Sequence, residues 1–267
     1  MLAQGFIVNA VHPAPSDANI TRYQYSCLEF GQSVPIRLRH LAILSLFFGL
    51  SPIPAFAARP FVTDDARIVA EGGCQIETFV RKQRNFGERE AWLLPGCNLG
   101  GNLELTFGGF STRNDADGRA STLIAQGKTI LKPLQANGYG TALSLGAMKQ
   151  RPFASDPASH WSPFANLISS ISLQSDTVVI HVNAGALDDR NAGVMRPTWG
   201  LGGEILVAPR LYAIVESYGQ KGEKASQQIG LRFWVVPERV QVDGTVGSQR
   251  GGPPTRNWLS LGLRLLF

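Results

Sequence analysis

Downstream of position 57, the residues able to do chemistry are two cysteines, two histidines and a set of regularly spaced charges. Cys74 and Cys97 are the thiols of that portion, and an oxidising compartment would pair them. Folding residues 74 to 97 into a hairpin centred near Asn85 and Phe86 opposes positions that sum to 171, a condition Cys74 and Cys97 meet. Direct opposition brings Cα atoms to ~4.5–5.5 Å, within reach of a disulfide. A cross-strand bridge is expected. Two cysteines without neighbouring histidines are too few for tetrahedral zinc, so no metal site is expected. His160 lies between Ser159 and Trp161, and His181 shares a strand face with Asn183. Neither comes with a nucleophile-elbow spacing, so no catalytic residue and no cofactor is assigned.

The charges fall on one side of alternating segments. Leu259, Leu261, Leu263, Leu265 and Phe267 share one face, while Ser260, Gly262 and Arg264 share the other. Val178, Ile180 and Val182 oppose His181 and Asn183, and Val240, Val242 and Val246 oppose Gln241, Asp243 and Thr245. Ile229, Leu231, Phe233 and Val235 oppose Gln228 and Arg232, and Leu103, Leu105 and Phe107 oppose Glu104. Weaker versions lie near 74–83, 89–99, 121–132, 139–150, 162–173, 197–207 and 210–218, giving about twelve strands. With apolar positions outward, Glu77, Arg81, Glu104, Lys128, Glu204, Glu216, Arg232, Asp243 and Arg264 point inward. Confined charges need partners, so a bracing ion network or a narrow polar path is expected, with Glu204 and Arg232 as the best single pair.

Composition agrees with this architecture. Only 17% of residues are charged, and 29 are glycine, which suits short strands and tight turns. The net charge of +5 is spread along the chain without a Lys/Arg cluster, which argues against nucleic acid as a partner. Hydrophobic content of 44% excludes a disordered chain.

The amino-terminal region reads as an export signal. Arg37, Arg39 and His40 precede the apolar run Leu41 to Leu50, followed by two prolines and Ala55-Phe56-Ala57. That order predicts a signal peptide over 34–57 cut after Ala57. Residues 1–33, with Cys27, form an upstream extension, and a true start at Val34 would account for it. Residues 58–71 then precede a barrel over 72–267.

Alternation alone fits a soluble barrel as well as a membrane one. The connections separate them, because 84–90, 112–119, 151–161, 188–196, 219–226 and 248–256 are long and polar while those between are mostly tighter. One loopy rim and one trimmed rim match an outer-membrane barrel with both ends in the periplasm. The fold expected is an all-β antiparallel transmembrane barrel of about twelve strands, closed because an open edge in lipid leaves unpaired backbone groups. Phe267, ending an apolar-alternating strand, resembles the carboxy-terminal signal read by the barrel assembly machinery. Trp92, Trp161, Trp199, Trp234 and Trp258 are expected to form an interface girdle, with an aromatic ligand cradle as the alternative.

Thr63-Asp64-Asp65-Ala66, Cys74-Gln75-Ile76-Glu77, Pro95-Gly96-Cys97-Asn98, Trp199-Gly200-Leu201-Gly202-Gly203-Glu204 and Gly230-Leu231-Arg232-Phe233-Trp234 carry a resemblance. Together with Arg59-Pro60, Asn102-Leu103-Glu104-Leu105 and Val235-Val236-Pro237, they resemble uncharacterised outer-membrane barrels. These are similar in turn to the outer-membrane family associated with the meta-cleavage pathway of phenol degradation. The resemblance covers about residues 58–267 and implies a barrel suspected of transport, without residue roles to carry over.

The expected partners are outer-membrane lipid, the assembly machinery and a small solute. Passive passage of small solutes, hydrophobic or aromatic ones among them, is the leading function. A closed structural barrel is the rival, and an outer-membrane hydrolase the remote alternative. Asp64 and Asp65 sit on a non-alternating segment that either folds into the lumen as a plug or trails as a periplasmic tail.

Overall fold

Period-two alternation leaves one polar and one apolar face on each strand, and the chain satisfies both by rolling the sheet into a cylinder. The computed structural model describes residues 61–84, 87–114, 118–151, 159–249 and 256–267. The upstream extension, the export signal with its cut after Ala57, and Arg59-Pro60 lie outside the described residues.

The strands, in chain order, are β1 Cys74–Gln83, β2 Arg89–Asn98, β3 Glu104–Asn114, β4 Gly118–Lys132, β5 Tyr139–Arg151 and β6 Trp161–Leu173. They continue as β7 Val178–Asp189, β8 Val194–Ala208, β9 Leu211–Gln220, β10 Ser226–Val236, β11 Val240–Gln249 and β12 Arg256–Leu266. Each pairs antiparallel with its sequence neighbours, and β12 pairs with β1 from Gln75–Leu266 to Gln83–Trp258, closing the barrel. Closure removes the unpaired edges that lipid would penalise by several kcal/mol per group. Val80, Leu93, Phe107, Leu145, Leu201, Leu231 and Leu261 are exposed on the outer face, while the alternate positions are buried within. No described helix is long and apolar enough to cross a membrane.

The first hairpin has the anticipated register, Cys74 opposite Cys97 through to Lys82 opposite Arg89. Cys74 and Cys97 are disulfide-bonded, with Cα atoms 4.1 Å apart. The bond lies at the rim where Cys74 exchanges backbone hydrogen bonds with Phe267. Phe267 itself is exposed.

The two rims differ less than their sequences suggest. Connections on one rim run from three to nine residues and on the other from two to six. The expected long connection at 112–119 shrinks to 115–117, because Ser111–Arg113 and Arg119 extend their strands above the apolar band. At the trimmed rim, Asn137, Asp176, Arg210 and Glu238 take positive φ in tight turns.

The tryptophans require a correction. Trp161 and Trp199 lie outward, whereas Trp92, Trp234 and Trp258 are buried inside the barrel and form no girdle. Strand parity governs them: Trp258 shares the face of Ser260 and Arg264, and Trp234 that of Arg232.

Candidate functional site: the barrel interior and the segment it holds

All nine inward-assigned charges, Glu77, Arg81, Glu104, Lys128, Glu204, Glu216, Arg232, Asp243 and Arg264, are buried in the barrel. Several pair across strands. Arg81 Nη2 lies 2.6 Å from Glu90 Oε2, and Arg264 Nε lies 3.7 Å from Glu77 Oε1 while also donating to Gln75 Oε1. Arg232 is shared by two acids, with Nη1 2.6 Å from Glu204 Oε1 and Nε 2.7 Å from Asp243 Oδ1. Asp243 is its direct β11 neighbour, whereas Glu204 reaches it from β8 over the intervening β9.

Glu90 escaped the sequence reading. It shares the inward face of β2 with Trp92 and Leu94, so that strand carries apolar side chains on its inner face as well as on its outer one. Trp92 stacks between Phe79 at 4.9 Å and Phe110 at 4.0 Å, and its indole N–H donates to Glu90 Oε2. Ile124, Met148, Phe164 and Leu187 extend this layer to β7, giving the interior an apolar arc among its polar groups.

The segment before β1 enters this interior. Val62 and Thr63 donate backbone N–H groups to the Glu216 carboxylate, the former at 3.0 Å. Asn183 holds Asp64 twice, accepting its N–H at 2.7 Å and donating to its carbonyl at 2.9 Å. Ala66 N–H donates to Ser170 Oγ, and Val69 N–H to Glu104 Oε2. Lys128 Nζ lies 2.8 Å from Asp64 Oδ1 and 3.2 Å from Asp65 Oδ1. Burial is the largest influence on the Asp65 carboxyl and raises it, as does Asp64, but Lys128, Arg67 and His181 together outweigh them and hold it below the usual aspartate range.

Strand β8 is shaped for the segment. A Cβ on Gly202 would stand 2.4 Å from the Phe61 ring, and one on Gly200 2.7 Å from Thr63 Oγ1. The absent side chains leave a slot the segment fills. Phe61 then packs edge-on against His181 at 5.9 Å, with the Arg232 guanidinium 5.7 Å from its centroid.

His181 bridges two neighbours: its Nδ1 lies 2.8 Å from Ser170 Oγ and its Nε2 3.2 Å from Glu204 Oε1. The row resembles a hydrolytic triad in composition, but all three residues are sealed from solvent beneath the segment. Sequence spacing could not reveal it, since only the register of β6, β7 and β8 brings the three together. His160 stands apart, donating its backbone N–H to Asn191 Oδ1. No group of three or more His, Cys, Asp or Glu among the described residues could hold a metal ion. At the loop-bearing rim a cleft of about 490 Å³ is lined in part by Arg84, Gln228, Asn257 and Trp258.

A closed antiparallel barrel with an apolar exterior and a charged interior has the fold of outer-membrane porins. It is similar to the NanC porin at 8% identity and TM-score 0.52, over 71% of this chain and 98% of that one. It is similar also to a KdgM porin in complex with disordered oligogalacturonate, at 11% identity and TM-score 0.50, over 72% and 99%. At such identities the likeness is one of fold. Residues 45–267 match the family described as uncharacterised conserved protein UCP029691, and the chain belongs to that family. No curated protein matches it.

Proposed function

We propose that the protein sits in the outer membrane as a passive channel for small solutes, with residues 61–70 as a lumenal plug that closes it. The observation that carries this reading is the plug's mode of attachment. Glu216, Asn183, Ser170 and Glu104 hold mostly backbone groups of a segment outside the wall's own ladder. A part that seats by hydrogen bonds and two ion pairs can leave without unfolding the barrel.

The apolar outer face supports the membrane placement, with export through a cleaved signal, termini in the periplasm and assembly directed by Phe267. The apolar arc around Trp92 supports hydrophobic or aromatic solutes as the cargo, in line with the resemblance to proteins linked to phenol degradation. The ion pairs of Arg81, Arg232 and Arg264 support the rival reading, a permanently closed barrel braced from within.

Planar-bilayer recording separates the two. The intact protein should be mostly silent, and a variant lacking residues 61–70 should show discrete open levels. Silence from both would favour the brace. The hydrolase alternative would rest on Ser170, His181 and Glu204, and ester cleavage lost in Ser170→Ala would be needed to sustain it.

A further inference from the structure

At the loop-bearing end of the barrel the outward-facing positions carry an uneven distribution of charge. Lys82 on β1 is the direct register partner of Arg89 on β2, Arg89 of Arg113 on β3, and Arg113 of Arg119 on β4. Four cations thus stand side by side on four consecutive strands. On β5, Arg151 sits opposite Ser121 and Lys149 opposite Leu123, continuing the row diagonally. Lys149 in turn faces Trp161 on β6.

By strand parity all six share the outer face with Val80, Leu93, Phe107, Leu123 and Leu145, not the interior. None has an ion-pair partner among the described residues, although Arg119 Nε donates to Ser111 Oγ. The rest of the circumference differs. Outward strand positions at that rim on β7 to β12 include Asp188, Met195, Ser217, Gln227, Ser248 and Asn257, and none there is a lysine or arginine.

Cross-strand neighbours lie ~4.5–5.5 Å apart, and like charges directly opposite destabilise a sheet. A row of four such neighbours is tolerable when an anion lies against it. The row stands one to three outward positions above Val80, Leu93, Phe107, Leu123 and Leu145, at the height of lipid headgroups, and arginine forks match phosphate oxygens in pairs. We propose that this arc over β1 to β5 binds net-anionic, phosphate-bearing lipid headgroups in the leaflet surrounding the loop-bearing rim. The proposal rests on the outer-membrane placement given above.

The test uses the full chain in phosphatidylcholine nanodiscs doped with lipid A, a bisphosphorylated glycolipid. Lipid retention is read by native mass spectrometry and thermal stability with and without lipid A. The intact protein should retain lipid A, and an R89Q/R113Q/R119Q variant should retain at least about tenfold less. A K221Q/K224Q control, on the loop between β9 and β10, should match the intact protein. Without lipid A the triple variant should melt no lower than the intact protein, since it sheds repulsion, and lipid A should stabilise it less. Equal retention by the triple variant, or no preference of the intact protein for lipid A over phosphatidylcholine, overturns the arc. Those results combined with co-fractionation with outer membranes condemn the arc alone, whereas fractionation elsewhere overturns the placement and the arc together.

Discussion

Asp65 is the residue through which acidity would reach the proposed plug. Its carboxyl is held below the usual aspartate range in the docked segment because Lys128, Arg67 and His181 together outweigh burial, the largest single influence. A value depressed on docking means that the group favours docking above the free segment's ordinary pKa. That contribution is lost as pH falls through the docked value. Open events in bilayer recordings should therefore become more frequent as the bath is acidified below about 4, the ordinary aspartate range. Asp65→Asn should flatten this dependence and raise the open fraction at neutral pH. A profile unchanged between the two proteins would separate Asp65 from the latch.

At the scale of elements, β8 and the segment fit one another through missing atoms. Gly202→Val places a branched side chain where the Phe61 ring lies, and one of the two must move. The wall is fixed by backbone bonds to β7 and β9, so the segment yields. Limited proteolysis of the folded variant should cut within 61–70, where the parent resists, while its circular dichroism remains that of the parent.

Much of this level was legible in the chain. Alternation located the strands, and the sum rule for the first hairpin paired Cys74 with Cys97 in their observed register. Parity alone sets Trp234 and Trp258 on polar, inward faces, and it prevails over the general preference of tryptophan for membrane interfaces. Glu90 was hidden because Trp92 and Leu94 make the inner face of β2 apolar. Three-dimensional register decides the rest: Ser170 meets His181, and Glu204 meets Arg232 over an intervening strand, through offsets that no single segment encodes.

For the molecule as a whole, the feature with the widest reach is the pairing of β12 with both β11 and β1. The final stave of the cask is the one that closes it. A frameshift or stop codon just ahead of Arg256 would strip hydrogen-bond partners from β1 and β11 at once. In hydrocarbon each orphaned amide or carbonyl costs several kcal/mol. Such a product should be absent from membrane extracts and recovered only as aggregate or protease fragments. Losing β12 should therefore abolish insertion outright instead of weakening it by degrees.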